Sequence, residues 1–168
     1  MLLDLHEIIE MPGRSVPFRC ELDRERLAFP SLVAFDGPVT AQGLVKNTAG
    51  VLELTADVTA EMTVLCDRCG KPVRRRLTPR FTATLQADAE DADSDDVFPL
   101  TGDEADVSDV LETCFILNTD QRFLCRDDCK GLCPTCGKDL NDGPCGCGKE
   151  IDPRMAALGQ LLDDIQEV

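Results

Sequence analysis

The spacing of the cysteines constrains this chain more than any other feature. Cys66-Asp67-Arg68-Cys69 is followed by Gly70, and Cys133-Pro134-Thr135-Cys136 by Gly137. Two thiols separated by two residues in a tight turn converge on one ion more readily than they pair with distant partners. Structural zinc takes four ligands in a tetrahedron, commonly as two such pairs. Glycine after the second thiol relieves crowding where the backbone turns toward the sulfurs. Of 10 cysteines, eight sort into four close pairs, 66/69, 125/129, 133/136 and 145/147. The second knuckle and Cys145-Gly146-Cys147 are local, so Cys133, Cys136, Cys145 and Cys147 are expected to form one self-contained site. Cys66, Cys69, Cys125 and Cys129 would then bind a second ion across 55 intervening residues, tying the β-rich part to the later segment. The six thiols from Cys125 onward leave other partnerings open for this second site. Cys20, in a strand-like stretch, and Cys114, on an apolar helix face, read as small buried hydrophobes.

Four thiolates leave no open position for water, so each ion is expected to be structural zinc. The same donor set suits iron, and a rubredoxin-like iron site is the lesser alternative. Metal thiolates rather than disulfides imply a reducing cytoplasm. The N-terminal MLLDLHEII agrees, since it carries acids where an export signal has a cationic start. No apolar run approaches the roughly 20 residues of a membrane-spanning helix, so no membrane partner is expected.

The 168 residues suit a single domain spanning 1–168. Its first part, 1–86, reads as β-rich. From Val51 to Val64, apolar or small residues fall at Leu52, Leu54, Ala56, Val58, Ala60, Met62 and Val64, the period of a long strand buried on one face. Val39, Ala41 and Val45 form a partner strand across the turn Asn47-Thr48-Ala49-Gly50. Phe81, Ala83 and Leu85 alternate again, Ser15 to Leu22 is a further strand, and His6 to Met11 a short helix stopped by Pro12-Gly13. Residues 87–106 read as an acidic mobile loop. The last part, 107–168, holds a helix capped by Ser108 with Val110, Leu111, Cys114 and Leu117 on one face. The cysteine-rich segment follows, then a helix from Asp152-Pro153 with Met155, Leu158, Leu161, Leu162 and Ile165 in one stripe. The expected fold is α+β: an antiparallel β meander, or partly closed sheet, with a few helices and a zinc-knuckle segment.

CRDDCKGLCPTCGKDLNDGPCGC (125–147) with DPRMAALGQLL (152–162), the upstream CDRCGKPVRRRL (66–77) and LHEIIEMPG (5–13) together resemble the YceD family over nearly the whole chain. The resemblance implies a bacterial or plastid factor for accumulation of 23S ribosomal RNA, hence a role in large-subunit ribosome biogenesis. Its implied partners are ribosomal RNA or a pre-ribosomal particle.

Net charge argues both ways. At -15, the chain is no generic basic nucleic-acid binder. The acids are concentrated, however: Phe81 to Gln121 holds 12 and no Lys or Arg. Arg68, Lys71, Arg74, Arg75, Arg76 and Arg80 lie together just before, beside a single acid, Asp67. Screening cuts repulsion beyond about 8 to 10 Å, so this patch can hold a phosphate backbone, and guanidinium suits phosphate. Phosphate contacts alone discriminate little between sequences. The rival readings are an acidic adaptor for a basic ribosomal protein and an iron electron carrier. His6 is the only histidine, and the chain has neither a Gly-rich phosphate loop nor a nucleophile elbow. An enzyme with a small-molecule substrate is not expected.

Overall fold

A computed structural model describes residues 1–87, 96–120 and 122–148, within two units, Met1–Cys129 and Lys130–Val168. The first unit runs β1 (Leu2–Asp4), α1 (His6–Ile9), β2 (Ser15–Leu22), β3 (Leu32–Phe35), β4 (Val39–Thr48), β5 (Val51–Leu65), β6 (Pro72–Leu77), β7 (Arg80–Gln86), β8 (Val97–Pro99), β9 (Glu104–Asp106) and α2 (Val107–Asn118). It is mostly strand with two helices.

Strand β5 organises this unit because its alternation persists for 15 residues. All seven apolar or small positions from Leu52 to Val64 are buried. A strand of this length outruns any one pair of neighbours. Its first half lies between β4 and β7, with Thr48 opposite Val51 and Arg80 opposite Asp57. Its second half lies between β3 and β6, with Leu32 opposite Val64 and Pro72 opposite Leu65. The main path is β2-β4-β5-β7-β8, antiparallel except for the parallel β7–β8 pair. It does not return to its starting strand, so the sheet is open rather than partly closed.

The β4–β5 turn is tighter than the sequence suggested. Only Ala49 and Gly50 lie outside the ladder, at φ 54° and 94°, the positive values that two-residue hairpin loops favour. Asn47 beside it is fully buried and satisfied. Its amide donates to the Ile8 and Ile9 carbonyls at 2.7 Å each, and its Oδ1 accepts from the Gly50 N–H at 2.8 Å. One side chain thus fixes the turn and pins α1 to it.

Helix α2 buries Val107, Val110, Leu111, Cys114 and Phe115 against the sheet. Its cap is Asp106, not Ser108: Asp106 accepts from the Ser108 and Asp109 amides at 3.1 and 3.3 Å. The Ser108 hydroxyl instead accepts from the N-terminal amine at 2.8 Å. Phe115, four residues beyond Leu111, takes the inner face, and Leu117 is 58% exposed. Glu112 is buried yet partnered, accepting from the Asp23 N–H at 3.0 Å and pairing with Arg26 at 2.7 Å.

The acidic stretch 87–106 departs from its loop reading at both strands it contains. Phe98 and Ala105 are buried, and each carries its neighbours into a ladder, β8 beside β7 and β9 beside β1. Residues 88–95 and the apolar stripe of 152–165 lie outside the described residues.

In the second unit the described residues form turns, a single bridge of Leu132 with Asp139, and a 3-10 turn at Leu140–Asp142. Among them only Gly131 and Cys133 are buried. These residues have no hydrophobic core of their own, and a segment like this needs another source of folding energy.

Candidate metal centres

The first knuckle is the turn between β5 and β6. The Cys66 N–H donates to the Lys71 carbonyl at 2.9 Å and the Gly70 N–H to the Cys66 carbonyl at 2.8 Å. In the second, the Cys133 N–H donates to the Lys138 carbonyl and the Gly137 N–H to the Cys133 carbonyl, both at 2.8 Å. Gly70 and Gly137 have φ of 69° and 73°, a left-handed conformation that explains glycine after each pair. One turn is therefore built twice, and each brings two sulfurs to the same side.

The other ligands complete two groups of four. Cys66, Cys69, Cys125 and Cys129 have all sulfurs within 4.8 Å of one another, and so do Cys133, Cys136, Cys145 and Cys147. The structure thus brings together the same two sets that the spacing suggests. In the first, the Cys66–Cys129 and Cys69–Cys125 sulfurs are 3.9 and 3.7 Å apart. A tetrahedron with arms of about 2.3 Å has edges of about 3.8 Å, so the sulfurs stand where a zinc or iron ion needs them. Disulfide sulfurs would be about 2.05 Å apart, and all ten cysteines are free thiols.

The two groups differ in burial. Cys66, Cys69 and Cys129 are buried and Cys125 half-buried, whereas in the second group only Cys133 is buried and Cys136 is exposed. Cys20 is half-buried and Cys114 buried in the core, away from both groups.

Thiol acidities show what an ion would supply to each cluster. Burial pushes the Cys66 thiol up, but amides of Cys125, Cys69 and Arg68 outweigh it and bring Cys66 down to about 6. The Cys136 and Thr135 amides bring Cys133 down to about 6. Burial and the neighbouring sulfurs push Cys125 up to about 12, and contact with Cys136 does the same, to about 12, for Cys147. Without a cation, each cluster can carry only part of its four negative charges. A divalent ion at the centre would supply the charge that draws the remaining protons off.

The first centre is also gripped by polar side chains. Asp67, inside the knuckle, exchanges both backbone and side-chain bonds with Phe123: its N–H donates to the Phe123 carbonyl at 2.8 Å, and its carboxylate accepts the Phe123 N–H at 2.5 Å. The Ser31 hydroxyl and that Phe123 amide hold the Asp67 carboxyl below its usual range. The Arg68 guanidinium donates to the Cys129 carbonyl at 2.6 Å, and Arg75 donates to the Leu124 carbonyl at 2.5 Å. The segment carrying Cys125 and Cys129 is therefore pinned to the knuckle by three charged side chains.

The structure divides the cations of the basic patch between two placements. Of its six cations, the exposed Arg68 and the half-buried Arg75 donate to main-chain carbonyls beside the sulfurs. Arg74 and Arg76 occupy the other, exposed face of β6, as strand alternation requires. Arg74 lies 4.0 Å from Asp36, Arg76 3.7 Å from Glu61 and Arg80 3.1 Å from Asp57. Lys71 is exposed at the end of the knuckle. Alternation around Arg75 was the available signal for its inward role; Arg68 offered none beyond its place inside the knuckle.

A mostly-β chain with two four-thiol clusters, one built on a hairpin turn and one in a segment whose described residues have no core, falls in the class of proteins with cysteine knuckles that could hold metal ions. The chain belongs to the YceD family, described as "Large ribosomal RNA subunit accumulation protein YceD", which matches residues 54–162 and so includes all eight clustered cysteines. An uncharacterized protein of Mycobacterium tuberculosis is 29% identical over 165 residues, covering 96% of this chain and 74% of that protein. The Arabidopsis thaliana "Large ribosomal RNA subunit accumulation protein YCED homolog 1, chloroplastic" is 26% identical over 147 residues, covering 69% of this chain and 46% of that protein. The Zea mays protein of the same name is 27% identical over 142 residues, 66% of this chain and 48% of its own length. No solved structure matches. Among the described residues, no helix is long and apolar enough to cross a membrane.

Proposed function

We propose that this chain is a non-enzymatic, cytoplasmic zinc-binding factor that supports 23S ribosomal RNA accumulation during large-subunit biogenesis. The observation that carries the reading is the pair of closed four-sulfur clusters in a chain of this family. Four thiolates around an ion leave no site for water or substrate, so the metal builds a surface rather than performing a reaction. Lys71, Arg74, Arg76 and Arg80 are the RNA contacts in this reading. The acid partners of the three arginines are exposed to partly exposed, and such pairs contribute only about 0–1 kcal/mol, so a phosphate can replace them. Deleting the gene should lower the ratio of 23S to 16S RNA. The wild-type gene should restore it, and the Arg74→Ala/Arg76→Ala/Arg80→Ala variant should not. Restoration by the triple variant removes the RNA-contact assignment, and an unchanged ratio in the deletion removes the function.

One observation favours a second reading, an adaptor for a basic ribosomal protein. Each of the three outward arginines already stands near an acid, within a chain of net charge -15. Recovery of a basic ribosomal protein without RNA crosslinks would support it.

A further inference from the structure

Beyond the two metal centres, the first unit carries a cleft of about 370 Å³, the size of a small built pocket. Phe29 and Phe123 form one wall, stacked with ring centroids 5.5 Å apart and planes 18° off parallel. The end of α2 forms the other wall, through Ile116, Thr119 and Asp120. Ile116 is 47% exposed and Leu117 beside it 58%, so the apolar surface continues outside the cleft. Asp120 and the end of α2 give this wall of the cleft a negative character. Helix α2 has no basic residue in its last turn, so no cation of its own offsets the negative end of its dipole, while Asn118 and Thr119 donate to the Cys114 and Phe115 carbonyls. Asp120 is exposed at the edge of the cleft, and the positive charge of Arg122, the nearest cation in sequence, acts on Asp67.

We propose that this cleft is a docking site for a basic segment of a partner protein, one that presents a Lys or Arg beside an apolar side chain. The apolar anchor, or the aliphatic stem of the cation, lies against Phe29, Phe123 and Ile116. The cationic head reaches Asp120 and the end of α2. A nucleic acid fits poorly, because its phosphates would meet a carboxylate and a helix C-terminus. The proposal gives the adaptor reading a site and rests on that reading only for the partner's charge; it is independent of metal identity and of RNA contact.

The test uses the full-length, metal-loaded protein and fluorescence anisotropy with a short labelled Arg/Leu peptide. A Glu/Leu peptide and a short single-stranded RNA serve as competing probes. The site variant is Ile116→Lys/Asp120→Lys. Its control, Val51→Lys/Glu53→Lys, makes the same charge change on exposed positions of the β4–β5 hairpin end. All four positions are exposed, so both variants should keep the fold, as circular dichroism would verify. The Arg/Leu peptide should bind, should weaken as salt rises, and should lose about tenfold or more in affinity in the site variant but not in the control. Equal losses in both variants would show attraction to net charge alone and overturn the site. So would preferred binding of the RNA or the Glu/Leu peptide, or self-association that the site variant abolishes without peptide binding. If the peptide binds as expected but no basic ribosomal protein is recovered from cells, the adaptor reading fails while the site stands.

Discussion

Three consecutive arginines, Arg74, Arg75 and Arg76, divide their work because a strand alternates its faces. Arg75 reaches the Leu124 carbonyl next to Cys125, while its neighbours meet solvent. Partners that orient metal ligands typically matter by about 10–100-fold in metal affinity. Arg75→Ala should weaken the first centre by about that factor and leave the second unchanged, while Arg74→Ala changes neither; zinc competition with a chromophoric chelator reads both. Proton linkage follows from the same residues. Binding needs thiolates, and at neutral pH Cys125 and Cys147, held near 12, must lose protons to the solvent. Affinity should therefore rise with pH, and its loss on acidification should steepen below about 6, where Cys66 and Cys133 also take up protons. A pH-independent affinity between 5 and 8, measured by the same competition, would contradict this assignment. The thiols were legible in the sequence because a knuckle is a local spacing. The arginine roles were not, because their acceptors are carbonyls of residues about 50 or 60 positions away.

At the scale of elements, β5 was legible because burial on one face imprints period two on its residues. What the pattern did not show is that the strand serves two sets of neighbours. Gly43, opposite Ala56, is the residue that permits the close approach of β4: a Cβ there would sit 2.2 Å from the Thr55 carbonyl oxygen and 2.6 Å from the Ala56 Cβ. Gly43→Ala should cost about 1–3 kcal/mol, or more if the backbone cannot give, seen as a lowered urea midpoint. An unchanged midpoint would mean that the two strands separate freely at this point. Strands β8 and β9 were missed because acid density masked single buried residues, Phe98 and Ala105, that anchor short ladders. Helix α2 was placed correctly but its cap was shifted, since Asp106 and Ser108 are both good capping residues and only the geometry chooses between them.

On the scale of the whole molecule, the two units differ in what holds them. The first has a core running from Leu5 to Phe115, independent of any ion. The described part of the second has none, so an ion held by Cys133, Cys136, Cys145 and Cys147 would stand in for a core. Removing metal with a chelator should leave the amides of β4, β5 and β7 protected from hydrogen exchange while residues 130–148 exchange freely. Retained protection of 130–148 would show that the thiol cluster is not what folds this segment. Whether the eight clustered cysteines hold two ions is measured directly by native mass spectrometry of the protein purified under reducing conditions. It should show two zinc ions per chain, falling to one in Cys133→Ser/Cys136→Ser. A metal-free chain, or one lighter by the hydrogens lost to disulfides, would contradict it.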